Sequence, residues 1–371
     1  MGKALFKRNW LPAPSSTKSN DGLGPLFNAR SCAQCHAAAT AGRITLAPDG
    51  DLAETGAVVR LSTDSGAGDP VYGAQVQTHA IPGHAAEASV RVTWEISKVA
   101  LSDGEVIELR RPRITLSNFA SGGLAAGVTP SLLLAPSLSV AAQIARVDIE
   151  ALRRSGGSPE AKDVSLPFGR KASEASLEDA VALAFSRDLG LSTERHPLPG
   201  GDCTARQPAC VAGPHGDDGT GIEIAPEIVS AVAAYVQSLS PPVASAAEEI
   251  NASAEQVFTS ASCGQCHRPD LPGKEGEPVR LFSDLARHDL GAGLAGVSGE
   301  NGVMASSWRT APLIGIAGKL AAGSTLLHDG RARSVQEAIL WHDGDARAAR
   351  QSYERLSAAE RDALHAYIMS R

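Results

Sequence analysis

The sequence predicts a mainly α fold of two similarly organised helical units, the first expanded by a large, partly β insertion. Three observations carry this expectation. A Cys-x-x-Cys-His motif occurs twice, at Cys32-Ala33-Gln34-Cys35-His36 and at Cys263-Gly264-Gln265-Cys266-His267. A helix-like segment leads into each motif, Leu23 to Arg30 and Glu248 to Ser260, and an amphipathic helical stretch closes each unit. Between the motifs lie short segments with the alternation and β-branching of strands.

The closing helix of the first unit runs from Ala225 to Leu239 and starts at Pro226, where a missing N–H costs nothing. The closing helix of the second runs from Leu356 to Ile368, and Ser357 with Glu360 forms a capping box. The strand-like segments are Ala57–Leu61, Ser89–Ile96 and Val106–Arg110, with Asp103-Gly104 as a hairpin turn before the last. The strongest boundary falls at Ser238-Leu239-Ser240-Pro241-Pro242, where two prolines end a helical pattern.

The doubled motif is the attachment pattern of c-type haem. Two thiols one helical turn apart add across the two vinyl groups of one porphyrin, and the adjacent imidazole becomes the proximal iron ligand. The expected cofactors are therefore two covalently bound haem c groups. Cys32, Cys35, Cys263 and Cys266 would make the attachments, and His36 and His267 would be the proximal ligands. The alternative is a zinc site built from both Cys pairs. It does not explain why each motif carries its own histidine directly after the second cysteine. Of six cysteines, two remain, Cys203 and Cys210, and a disulfide between them fits an oxidising compartment. A redox-active or metal-binding pair is the alternative.

Covalent haem and a disulfide both imply a periplasmic location. Residues 1–20 show four basic residues and no apolar core of a signal peptide. No apolar run is long enough to span a bilayer. The net charge of −7, without a basic block, argues against nucleic acid as partner.

An internal repeat bears on iron ligation. Gly169-Arg170, Ser176 and the helix through Ala184 parallel Gly330-Arg331, Ser334 and the helix through His342. Both read as a loop, a serine cap and a helix with an acidic first turn. The second copy places His342 where the first places Ala184. The second haem thus gains a candidate sixth ligand and the first gains none. An ordinary surface role for His342 is the alternative. The other candidate is Met304, the one methionine away from the termini, and a thioether would raise the haem potential relative to two imidazoles.

With these residues in place, both closing helices resemble the C-terminal helix of cytochrome c, as in Ala363-Leu364-His365-Ala366-Tyr367-Ile368. The expected domains are cytochrome c-like, residues 1–240 with an insertion at about 45–165, and residues 248–371. The chain as a whole resembles the bacterial di-haem cytochrome c peroxidase and MauG superfamily. More closely, it resembles the di-haem oxidoreductase branch labelled thiol oxidoreductase or peroxidase. Segments carrying the resemblance include Gly22 to Cys32, Asp69 to Gln75, Asp284 to Gly291, Trp308 to Leu313 and Leu327 to Ala332. In the peroxidases a distal ligand follows the His-Asp-Gly histidine by 14 positions, which lands here on His342. That superfamily commonly has Met or Tyr there, so the peroxidase cycle does not transfer directly.

The resemblance implies a small oxidant such as H2O2, an electron-donor protein or a protein substrate, and a bridging Ca2+ as in related peroxidases. It also implies a carboxylate near the open iron, for which Glu87 is the expected acid–base group, supported by Gln77 or His79. An extended Gln75–His79 would put Gln75, Gln77 and His79 on one face. His79 or His84 binding the iron would instead close the site. Trp94, Trp308 and Trp341 are candidate electron relays, with core packing as the alternative for each. The expected function is a di-haem oxidoreductase, peroxidase-like, with a reactive haem at His36 and an electron-relay haem at His267/His342. The alternatives are an electron carrier with two closed haems, or MauG-like oxidation of a partner protein.

Overall fold

The computed structural model describes residues 1–37, 40–53, 56–154, 166–216, 221–242, 252–299 and 302–371. It corrects the expected fold class: 31% of the chain is helical and 20% is strand, in several small sheets, so the fold is not mainly α.

The chain opens with helix α1 (Gly2–Lys7), which buries Leu5 and Phe6. Residues 23–30 are not a helix, as expected from sequence, but carry strand β1 (Leu26–Phe27). Gly24 lies so close to the Gly190 backbone that no side chain fits there, and this approach sets the extended path. The first motif forms the single-turn helix α2 (Cys32–Cys35).

Next come β2 (Ala57–Ser62), β3 (Gln75–Val76), β4 (His79–Ala80), β5 (Ser89–Ala100), β6 (Val106–Ser117) and β7 (Thr129–Leu134). β2 is the centre of an antiparallel sheet in the order β3-β2-β7, and β4 pairs with β1. Val59, Leu61, Val76, Leu132 and Leu134 bury one apolar face against Val90 and Val92 from β5. β5 and β6 pair over their full length, from Ser89↔Ser117 to Ala100↔Val106. Asp103-Gly104 makes the expected turn, and Gly104 takes φ +88°, a conformation only glycine adopts freely.

Helices α3 (Leu138–Ile144), α4 (Ile149–Arg154), α5 (Leu177–Leu189), α6 (Pro208–Val211) and α7 (Pro226–Gln237) follow. α7 begins at Pro226 as expected and packs Val229, Val232 and Val236 inward. Its first half meets Phe6, Phe185 and Leu189, and its last turn joins a cluster with Leu152, Leu271 and Leu281. That second cluster ties the halves of the chain together.

The C-terminal half contains α8 (Ala252–Ser260), β8 (Asp270–Leu271), β9 (Val279–Arg280), β10 (Arg287–Asp289), β11 (Ser307–Arg309), α9 (Ile316–Ala321), α10 (Val335–Leu340), α11 (Arg347–Glu354) and α12 (Ala358–Met369). The expected helix from Glu248 thus begins, among the described residues, at Ala252; residues 248–251 lie outside them. α12 has the expected Ser357/Glu360 capping box. Phe258, Phe282 and Tyr367 form an edge-to-face aromatic centre with ring centroids 5.2 to 6.2 Å apart.

The hairpin end reaches this half. Leu101 and Leu109 enter the same core as Leu364 and Tyr353. Arg361, 3% exposed, donates to both Asp103 and Glu105 at 2.7 Å. The strands are therefore built into both halves rather than hung on the first. That is the physical reason a mainly α reading failed. The helices are short, and loops rich in the chain's 37 glycines and 22 prolines do much of the spanning. No described helix is long and apolar enough to cross a membrane.

Candidate functional site

A single cavity of about 1530 Å3 receives both motifs. An ordinary small-molecule pocket holds roughly 300–1,000 Å3. Cys32, Cys35 and His36 line one part of it, and Cys263, Cys266, His267 and His342 line another. The four motif cysteines are unbridged. A zinc site would need both Cys pairs to converge. Among the described residues the one group of three or more possible metal donors is Cys266, Asp284 and His288, which includes a single cysteine.

The two motif histidines are held alike. Nδ1 of His36 lies 2.9 Å from the Pro136 carbonyl oxygen, and Nδ1 of His267 lies 3.0 Å from that of Phe282. A carbonyl only accepts, so each Nδ1 carries the proton and each Nε2 keeps a free lone pair. Burial lowers both imidazole pKa values to about 4, so both rings are neutral. A neutral imidazole with its second nitrogen fixed by a backbone carbonyl is the state an iron ligand requires.

His342 repeats this arrangement. Its Nδ1 donates to the Ala338 carbonyl at 2.7 Å, burial lowers its pKa, and its charge acts on His267. Ser334 caps α10 by accepting from the Glu337 amide, which fixes where the helix begins and so where His342 emerges just past its end. Ser176 caps α5 in the same way through Asp179, and Ala184 lines the cavity from that helix. Met304 is 50% exposed and lies outside the cavity walls.

Trp308 stands in the wall between two charged or polar rims. The His328 ring stacks on it at 3.9 Å and 14°, and Lys171 Nζ lies 3.5 Å from its centroid. Its indole N–H donates to the Leu294 carbonyl at 2.8 Å. β11 pairs Trp308 with His288, whose Nε2 is 2.8 Å from Asp284. The Leu134 amide donates to the His328 carbonyl at 2.8 Å, two residues before the Pro136 carbonyl that holds His36. Trp94 lies on the hairpin under Arg110, and Trp341 lies under Arg331; both are outside the cavity walls.

Glu87 and Gln77 are brought together, but behind the wall. Glu87 is 1% exposed and accepts from the Gln77 amide at 2.7 Å and from the Gln207 side chain at 2.6 Å. Gln77 accepts from the Asn28 side chain at 2.7 Å and donates to the Arg187 carbonyl at 2.9 Å. His79 is not with them. The strand breaks after Val76, and His79 stacks on Phe27 at the surface, with centroids 5.6 Å apart. His84 contacts the Ala209 carbonyl at 3.1 Å, beside the loop that the Cys203–Cys210 disulfide closes. None of these four residues lines the cavity.

Burial raises the Glu87 carboxyl pKa to about 7, against the two hydrogen bonds it accepts. A raised pKa means the folded state holds this proton more tightly than the unfolded chain. The stabilisation is complete below the unfolded value near 4.5 and is lost as pH rises through about 7. Its size is on the order of 3 kcal/mol. Glu87→Gln, which does not titrate, is expected to flatten the fall in unfolding free energy, measured by urea titration between pH 5 and pH 7.5, by that order; equal slopes for the two proteins would refute it.

The sequence reading passed over several cavity-wall residues. Arg60 sits on β2 among Val58, Val59 and Leu61, and burial lowers its pKa to about 10. A lone arginine inside a β-branched run was the available signal. Asp188 ends α5 and accepts from the Gln75 side chain at 2.8 Å. The available signal there was its spacing of one helical turn from Ala184.

Residues 149–371 match the family model described as "Di-haem oxidoreductase, putative peroxidase". No curated protein and no solved structure matches the chain.

Proposed function

The chain belongs to the di-haem oxidoreductase family, and from that premise we propose a periplasmic, peroxidase-like enzyme with two unequal c-type haem sites. The family implies haem, and the residues fit it. The cavity is large enough, the four motif cysteines line it without being disulfide-bonded, and both motif histidines line it with Nδ1 held by a backbone carbonyl. Cys32 and Cys35 attach the first haem with His36 as ligand. Cys263 and Cys266 would attach the second, and His267 and His342 would be its candidate iron ligands. Haem supplies redox-active iron whose reactivity is set by axial ligands and by access to the open face.

The chain's own residues supply the rest. Pro136 and Phe282 fix the two proximal imidazoles through their carbonyls. Ala338 orients His342 so that it occupies the second site. Ala184 offers no donor at the first, leaving it free for a small oxidant such as H2O2. Trp308, held between His328 and Lys171, links the two sites as electron relay, since it alone of the three candidate tryptophans lines the cavity. Electrons come from a donor protein. The Cys203–Cys210 disulfide suits an oxidising compartment.

The observation that carries this reading is the inequality across the cavity: His342 lines it near enough to His267 for its charge to act there, and Ala184 stands in the matching place on α5. Intact mass is expected to exceed the polypeptide by two haem groups. EPR of the oxidised protein is expected to show one high-spin and one low-spin haem. Two low-spin haems inert to cyanide and peroxide would make the protein an electron carrier and end the enzyme reading.

A further inference from the structure

We propose that Asp188, oriented by Gln75 and paired in charge with Arg60, is the acid–base group at the open first site. This rests on the reading above and assigns its missing proton-transfer residue. The two copies of the internal repeat exchange residues. Ala184 and His342 each stand eight positions after the capping serine, and Asp188 and Ala346 each stand twelve after it. Where the second copy has histidine then alanine, the first has alanine then aspartate. All four line the cavity. On α5, positions 184 and 188 share one face, a turn apart. The residue that vacates the ligand position is thus followed by a carboxylate over the same space.

The surroundings fit proton transfer to a small oxidant. Gln75 donates from its side chain to Asp188 Oδ1 at 2.8 Å and to the Arg187 carbonyl at 3.2 Å, which fixes one carboxylate oxygen of a side chain that lines the cavity. Arg60 lies close enough that its charge acts on Asp188. Burial raises the Asp188 pKa, which makes its carboxylate a better base. Asp188 also acts on Cys32, which places it beside the first motif. Glu87, by contrast, has both oxygens occupied by Gln77 and Gln207 and no wall position.

The Asp188 carboxylate takes the proton from the inner oxygen of H2O2 and returns it to the outer oxygen. The O–O bond breaks, and the outer oxygen leaves as water, its developing negative charge met by Arg60. The inner oxygen becomes the second water after accepting two protons from solvent and two electrons from the donor protein.

Cyanide gives a readout independent of turnover, because HCN must lose its proton to bind as the anion. Wild-type protein is expected to bind cyanide at one haem. Binding at no haem would overturn the peroxidase reading and this inference with it. Given wild-type binding, Asp188→Asn is expected to slow both cyanide association and the peroxide reaction by about 10²-fold or more, with two haems and an unchanged resting EPR spectrum. Asp188→Glu, which keeps the carboxylate, is expected to recover most of the cyanide rate. Should the asparagine protein assemble without its first haem, Asp188→Ser repeats the test. Cyanide association at the wild-type rate in a two-haem Asp188→Asn or Asp188→Ser protein overturns the inference while leaving the peroxidase reading intact. A 10²-fold loss in Glu87→Gln, with Asp188→Asn near wild type, also overturns it and moves the role to Glu87.

Discussion

The Cys32→Ala/Cys35→Ala double variant is expected to carry one covalent haem per chain and to lose all measurable reaction with H2O2. The corresponding Cys263→Ala/Cys266→Ala variant is expected to retain the oxidant-binding site but to lose sustained turnover. The contrast follows from what each half of the cavity offers. At the first site the motif supplies one imidazole, His36, so removal of both thioethers would leave that side chain and apolar contact to hold a large cofactor. A cavity of about 1530 Å3 without its occupant is also a heavy structural cost, since lost packing destabilises in proportion to the void. Both variants are therefore expected to unfold at lower temperature than wild type. At the second site His267 and His342 both remain, but on the proposed reading electron supply to the first site would pass through that half of the molecule. Intact mass, haem stain after denaturing electrophoresis and stopped-flow mixing with H2O2 decide the matter. Full peroxide turnover in the Cys32/Cys35 variant would place the reactive haem on the wrong motif.

Much of the chemistry was legible because it depends on spacing along the chain. Cys-x-x-Cys-His is a local constraint, and so is the 14-residue interval from His328 to His342. The serine cap of α5, the capping box of α12 and the proline start of α7 are local too, and each lies where the sequence placed it. What was not legible depends on long-range packing. The stretch from Leu23 to Arg30 looked helical, yet contact between Gly24 and Gly190 and pairing of β1 with β4 make it extended. The hairpin was read from its alternation and its Asp103-Gly104 turn. Its reach to Arg361 on α12 could not be, because 256 and 258 residues separate the partners. That contact makes the strands part of both halves and shifts the balance of the fold away from mainly α. The wall residues followed the same rule. Glu87 was expected from the resemblance, which implies a carboxylate near the open iron, but the folded chain turns it toward the disulfide loop through Gln207. Asp188 offered one local signal, its spacing of one helical turn from Ala184, but its place at the cavity wall follows only from the folded chain.

His342→Ala is expected to convert the second haem from low-spin to high-spin and to raise cyanide stoichiometry from one to two per chain. The argument rests on how the side chain is held. His342 sits just past the end of α10, where its Nδ1 donates to Ala338 at 2.7 Å and its Nε2 is left toward the cavity that also holds His267. Burial keeps the ring neutral, so its lone pair is available at any pH near neutrality. Alanine removes the donor and leaves a space of imidazole size, while the cap through Ser334 and the buried Leu340 keep the helix in place. The midpoint potential of that haem is expected to move by a sizeable fraction of the roughly 0.8 V that axial ligands can span. The first haem, which His342 would not ligate on this reading, is expected to keep its spectrum. Added imidazole is expected to enter the vacated space and restore the low-spin signal, which a general loosening of the fold would not allow. Met304→Leu serves as the companion measurement. Met304 is half exposed and lies outside the cavity, so its replacement is expected to leave both spectra unchanged. An unaltered second haem in His342→Ala, with a converted one in Met304→Leu, would transfer the sixth ligand to the thioether and remove the inequality on which the peroxidase-like reading depends.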